Sequence, residues 1–434
     1  MRDVLRMPLA TQGRVEAEMS DPQRASVPSG AAIYIALVQF LFVTTWTIYV
    51  IFLPRLLETA GLPVAWTPWI LLLDQLIFMV ADVATGLYAD RVQRTLGRIG
   101  PLIVGWTLLS CVAFLLLPHA VLLGSAAPVV ALGLILVWTA TSSALRAPPW
   151  VLLGKYAARP QLPWLNSLTL IGLAAGGALA PFLGVALKNV DARLPFALSS
   201  LTLLAATAGI VHLERRLAQR TATGAVAATP TAIPPHTPRV LGAGHATWMF
   251  AILLLAAAFQ THFSLNATAM FLRLARPADL EWLMPLFWVG FGAAMVPAGA
   301  LCKRYGALPV MSVAALLGAA GAVAAANAAA LPFLITCQLV AGAAWGGMLV
   351  AIFSSATELG RSGREGLALG TMFAMLALAT IVRIVVVLSG APKNAAWVSA
   401  LPWLPAVLWL AGGVLVGVLA LRAQAPRPPA TTSA

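Results

Sequence analysis

Twelve predominantly apolar stretches, each close to the length a helix needs to cross a bilayer, constrain this chain more than any other feature. A crossing takes roughly 20 residues at about 1.5 Å of rise each. Along the 434 residues the first six stretches fall at about 30–53, 67–88, 99–117, 124–146, 162–186 and 194–213. The second six fall at about 246–271, 282–301, 307–326, 331–355, 366–389 and 399–421. Backbone polar groups cannot stay unpaired in lipid, so the stretches are predicted helices. No alternating strand pattern of the kind that builds a barrel competes with them. Only 9% of the residues are charged, whereas a soluble domain carries about a quarter. The chain lacks the polar surface to coat a soluble globule. It is expected to be an all-α integral membrane protein with twelve transmembrane helices.

The net charge of +13 resembles that of a nucleic-acid binder until the basic residues are placed. They punctuate the apolar stretches and form no basic face or tail, so they write topology and imply no nucleic-acid partner. With the N-terminus inside, 20 Lys and Arg fall on the cytosolic side. Arg55, Lys188, Arg193, Arg273, Arg276 and Lys393 fall on the other, and Arg383 lies within a span. Both termini are therefore expected in the cytosol, as tails 1–29 and 422–434 of a protein of the cytoplasmic membrane. The first tail has no apolar core of the kind a cleaved signal peptide needs. Cys111, Cys302 and Cys337 lie far apart and predict neither a disulfide framework nor a zinc site.

Residues 214–245 form the only long polar interruption inside the chain, rich in Ala, Thr, Pro and Gly, and are expected to be a cytosolic linker. It divides the chain into halves 30–213 and 246–421, and the halves echo each other. The loop after helix 2 reads Gly86-Leu-Tyr-Ala-Asp90-Arg91, and the loop after helix 8 reads Gly299-Ala-Leu-Cys-Lys303-Arg304. Duplicated halves with a site between them are a recurrent transporter construction.

These halves, the central linker and the loop Gly86, Asp90, Arg91, Arg94, Gly97, Arg98 resemble the major facilitator superfamily, over residues 30–421. The resemblance implies two pseudo-symmetric six-helix bundles. It implies that Asp90 caps a helix of the other half in one conformation, where the helix dipole favours negative charge. The family's loop has a shorter spacing, with one residue between its Arg and its Gly where five separate Arg91 from Gly97 here. Gly176 to Gly184, with Ala180 before Pro181, resembles a motif the family associates with exporters. A weaker likeness points to the glycoside–cation symporter branch. Asp82 stands four residues before Gly86, and Pro148-Pro149-Trp150 follows helix 4. However, Val83 replaces the expected proline, Phe78 replaces a second acid, and helix 4 carries no acid.

Ionisable residues inside a bilayer are costly and mark functional candidates. Those expected here are Asp74 and Asp82 on helix 2, Arg146 on helix 4, His262 on helix 7 and Arg383 on helix 11. Asp74 and Arg383 fall at similar depths, roughly 5 Å and 9 Å outward of the midplane. Helices 2 and 11 face each other in the resembled fold, so an Asp74–Arg383 ion pair is predicted, either fixed or displaced by an anionic solute. Asp82 is the candidate for proton coupling, with Asp74 as a second ion-coupling residue, since alternating access would expose such an acid to a drier and a wetter environment in turn. Otherwise it supports the loop motif. Asp90, Arg91, Arg94, Gly97, Arg98, Gly299, Lys303 and Arg304 are read as gating and topology residues.

His262 and Asn266 share one face of helix 7, with Gln260 half a turn earlier; His262 serves as packing or as a proton relay. Helix 1 offers Gln39 and Trp46, helix 4 Trp138 and Arg146, and helix 10 Gln338 and Trp345. Helices 1, 4, 7 and 10 line the cavity in the resembled superfamily, so these residues are expected around a substrate. Ser and Thr in lipid also serve as ordinary helix contacts.

No phosphate-binding loop, metalloprotease helix, nucleophile elbow or Cys/His cluster occurs, so neither ATP-driven transport nor enzyme activity is expected. The expected function is secondary active transport of a small solute by alternating access, tilted toward an anionic or amphipathic one. It would be driven by an ion gradient, expected to be one of protons, without a cofactor, by a monomer in the bilayer. The alternative is a transporter fold used without transport, as an assembly factor or receptor.

Overall fold

The computed structural model describes residues 27–224, 243–360, 364–391 and 394–424. Most of the two predicted tails and the centre of the predicted linker lie outside them. The first half contains α1 (Ser29–Thr59), α2 (Thr67–Leu96), α3 (Gly100–Leu116), α4 (Ala127–Ser142), α5 (Ala147–Tyr156), α6 (Leu162–Ala186) and α7 (Arg193–Gly224). The second contains α8 (Ala243–Phe259), α9 (Ala267–Leu272), α10 (Pro285–Tyr305), α11 (Ala307–Ala326), α12 (Leu331–Leu359), α13 (Glu365–Leu388) and α14 (Leu404–Gln424).

Among the described residues, eleven helical stretches are long and apolar enough to cross a membrane. One of them, Gly100–Tyr156, has 57 residues, far more than one crossing uses. It reverses at Gly124, where φ is +56°, a conformation that glycine adopts without a Cβ penalty. The stretch therefore crosses twice, and the described residues make twelve passes. α1 begins at one face of the bundle, the near face, and the far face lies opposite.

Several described passes depart from an uninterrupted apolar helix. The sixth pass runs on to Gly224, past its expected end at 213. Glu214 on this extension is buried and accepts hydrogen bonds from the backbone N–H groups of Ile99 and Gly100 at 2.9 and 2.7 Å. It thereby satisfies the open N-terminus of α3, and Lys155 stands 3.8 Å away.

The fourth pass breaks between α4 and α5. Pro148 and Pro149 carry no N–H, so the carbonyls of Ala144 and Leu145 lose their usual helical donors. A short tighter turn, Ser143–Leu145, fills the break, and Gln39 Nε2 donates to the Leu145 carbonyl at 2.8 Å. In the seventh pass a π-helical stretch, Gln260–Asn266, separates α8 from α9. Such widened turns recur at functional sites.

Packing relies on small residues. Gly172 of α6 lies against the backbone of Ala36, and Gly342 of α12 against that of Phe287, so neither has room for a Cβ. The halves meet along two helix pairs, α2 with α13 and α6 with α10. Exchanging the halves turns one pair into the other, which is the pseudo-symmetry of the fold. Gly86 of α2 touches Gly366 of α13, and Gly299 of α10 lies over Ser167 and Pro163 of α6. The two echoed glycines thus occupy equivalent contacts between halves.

Candidate functional site

A cavity of about 380 Å³ lies between the halves. Its first-half wall carries Gln39, Trp46, Gln75, Phe78, Arg146 and Trp150, and its second-half wall carries Phe259, Gln260, Trp288, Trp345, Phe353, Phe373, Thr380 and Arg383.

The break in the fourth pass aims Arg146 into this space. Its Nε is 3.0 Å from a carboxylate oxygen of Asp82, which is fully buried. The Arg146 guanidinium also lies 4.6 Å from the ring centre of Phe78 and 5.0 Å from that of Phe373. A cation is attracted to an aromatic face at such distances. Phe78 belongs to α2 and Phe373 to α13, so one side chain bridges an acid of the first half and a ring of the second.

On the opposite wall Gln260 Nε2 donates to the Thr380 hydroxyl at 2.9 Å, and Ser264 donates to Gln260 Oε1 at 3.2 Å. Arg383 follows Thr380 by three residues on α13 and lines the cavity. It has no acid within ion-pair distance among the described residues, and its buried Nε has no hydrogen-bond partner. Phe259 and Trp345 stack with centres 4.8 Å apart and planes inclined by 4°.

Toward the near face the halves close on each other. Asp90 accepts hydrogen bonds from the N–H groups of Gly366 and Leu367 at 2.7 and 3.0 Å, capping the start of α13. Trp150 packs on Phe353 at 4.1 Å, and the Asn166 amide lies 3.4 Å from the hydroxyls of Ser354 and Thr357. Arg94 Nε donates to the Asp90 carbonyl at 3.1 Å, while Arg91 and Arg98 are exposed. Gly97 ends α2 with φ +66°, so the extra residues in the loop motif prolong the helix before its left-handed stop. Lys155 donates to the Gly97 carbonyl. Lys303 and Arg304 lie exposed in the last turn of α10.

The structure corrects several expected positions. Asp74 makes no pair with Arg383. It accepts hydrogen bonds from Tyr49 at 2.8 Å and from Thr139 at 2.7 Å, wholly inside the first half. The reason is angular. Gln75, Phe78 and Asp82 share the cavity face of α2, and Asp74 is turned about 100° from Gln75. Trp138 is not on the wall either; it stacks behind Trp46 at 5.5 Å with planes 14° apart. His262 and Gln338 bond each other at 3.1 Å inside the second half, and Asn266 donates to the Leu401 carbonyl at 2.7 Å. None of the three lines the cavity, and His262 leaves its helix half a turn from Gln260.

The sequence does not place Gln75, Trp150, Phe259, Trp288, Phe353, Phe373 and Thr380 on a cavity wall, although Trp150 stands out beside the paired prolines. Most are aromatic, and in a membrane chain an aromatic residue carries the same signal on a cavity wall as in a core. Among the described residues no three His, Cys, Asp or Glu side chains converge as a metal site would require.

No family model and no curated protein matches the chain. Solved structures do. The human organic anion transporter MFSD10 (TETRAN) is 14% identical over 90% of this chain and 100% of its own, with a TM-score of 0.71. A bacterial homologue of the iron transporter ferroportin, in an outward-facing state, is 15% identical over 90% of this chain and 100% of its own, with a TM-score of 0.70. The proton:xylose symporter of the major facilitator superfamily, with a bound bromodeoxyglucose, is 12% identical over 90% and 94%, at 0.62. This chain is an integral membrane protein with the major facilitator fold.

Proposed function

We propose that the protein is a secondary active transporter that moves a small solute through the central cavity by alternating access, coupled to protons. In this reading residues 30–213 rock against 246–421, with both termini in the cytosol, in the cytoplasmic membrane. A single chain carries the cycle, and the ion gradient takes the place of any cofactor.

One observation carries the reading: Arg146 holds buried Asp82 at 3.0 Å while packing against rings of both halves. Removing one partner from a buried ion pair leaves a charge that the apolar wall cannot tolerate. A solute or a rearrangement that draws Arg146 away therefore obliges Asp82 to take up a proton. Because the guanidinium also rests on Phe373, that exchange is tied to the relative position of the halves. The near-face contacts of Asp90, Trp150 and Asn166 fit a closed near gate. The fold likeness to solute transporters, one of them a proton symporter, supports the reading.

The test uses the full chain in liposomes loaded with a pH-sensitive dye and a panel of organic acids, sugars, amino acids and drugs. At least one solute should drive proton movement, and Asp82→Asn should abolish it while leaving solute exchange. Proton movement unchanged in Asp82→Asn would remove Asp82 from coupling. No movement of any solute would remove the transport reading.

A further inference from the structure

Charge and hydrogen-bond accounting inside the cavity narrows the solute, given the reading of this cavity as the transport site. Two cations line the wall. Arg146 is neutralised by Asp82, whereas Arg383 has no counter-ion among the described residues and a buried, unpartnered Nε. An uncompensated cation within a membrane protein is costly, so its place is explained by a partner that arrives with the ligand. One free positive charge matches one negative charge. A dianion would bring a second charge with nothing to meet it.

The remaining polar side chains are already engaged. Gln39 gives its N–H to Leu145, Gln260 and Thr380 bond each other, and the Thr169 hydroxyl donates to the Leu165 carbonyl at 3.0 Å. Besides tryptophan N–H groups, only Gln75 joins Arg383 in having no described partner. A polyhydroxylated solute such as a sugar would bury many hydroxyls that this wall cannot satisfy, each at a desolvation cost.

The rest of the wall is aromatic. Phe259 and Trp345 stack beside Gln260, and the Trp288 ring lies flat over Gly177 of the opposite half, where any side chain would collide with it. We propose that the cavity takes an aromatic monoanion, with its carboxylate or sulfonate on Arg383 and its ring among Phe259, Trp288 and Trp345. Cavity size and polar content suit this class, since ligand pockets are mostly apolar with few placed polar groups.

The test measures binding to the purified full chain, by thermal shift and by tryptophan quenching. The probes are naphthalene-2-sulfonate and naphthalene-2-carboxylate, their neutral amides, methanesulfonate as an anion without a ring, and xylose. The two aromatic anions should bind about tenfold or more tightly than their amides, as a charge-assisted pair requires. Methanesulfonate and xylose should bind far more weakly. Arg383→Gln should erase the gap between anion and amide, and Arg383→Lys should retain part of it. Arg383→Gln should melt no lower than the parent, because it removes an unpaired buried charge, so its loss of anion preference cannot be ascribed to misfolding.

Amides binding as well as anions, a gap that survives Arg383→Gln, or no binding by any aromatic probe would each overturn the proposal. Flux of the same probes into liposomes separates the two readings. An anion that binds through Arg383 but is not moved contradicts transport alone. A neutral solute moved equally well by Arg383→Gln contradicts the solute class and leaves transport standing.

Discussion

Asp74 and Asp82 sit on one helix eight positions apart, both fully buried, and their surroundings give them different work. Asp74 is closed in by two hydroxyl donors and makes no ion pair among the described residues. Asp82 meets Arg146 at the cavity wall. Asp74→Asn can accept fewer hydrogen bonds and leaves one donor poorly paired, which should lower stability by about 1–3 kcal/mol. It should leave proton coupling intact. Thermal melting together with dye-loaded liposomes checks both; lost coupling at unchanged stability would reverse the assignment. The sequence named both acids, both arginines, Gln39, Trp46, Gln260 and Trp345, because charge or polarity in an apolar run stands out. It misassigned the partner of Asp74 because depth was considered without rotation about the helix. His262, Asn266 and Gln338 were grouped with cavity residues by helix number, although the half-turn between Gln260 and His262 already separated their faces.

At the scale of elements, the paired prolines in the fourth pass and the glycine contacts between halves carry the argument. Gln39→Leu should leave the Leu145 carbonyl unsatisfied and cost about 1–3 kcal/mol, read as a lower melting temperature. A melting temperature equal to the parent's would show that the break needs no donor from α1. Gly366 touches the Gly86 backbone and the Asp90 carboxylate, with no room for a methyl group. Gly366→Ala should therefore wedge α2 from α13 at the near face and increase chemical labelling of a cysteine placed at position 353. Unchanged labelling would show that the gate tolerates the separation. The spans were legible because length and hydropathy alone define a membrane helix. The α4–α5 break was not, although Pro148-Pro149 announced it, because the pair was read only as a loop beyond the span. The π-helical turn has no comparable mark, since its extra residue per turn does not disturb an apolar pattern. The helix continues past position 213, where a charged helix leaving the bilayer reads as linker; Glu214, bonded across to α3, and buried Leu217 tie it to the fold.

For the whole molecule, the near-face contacts and the central cavity describe one member of a proposed cycle. Its other member must part Asp90 from Gly366 and Trp150 from Phe353 while bringing the far-face ends of the halves together. The measurement that addresses this most directly is a pair of spin-label distances on the full chain in liposomes, with the three buried cysteines replaced. One pair spans the near face at Leu96 and Leu359, and the other spans the far face at Leu194 and Trp397, all exposed positions on opposite halves. Across a change of pH, with and without naphthalene-2-sulfonate, the near-face distance should lengthen as the far-face distance shortens, and Asp82→Asn should suppress the response to pH. Distances that stay fixed in both pairs under every condition, or that change in the same sense, would contradict alternating access.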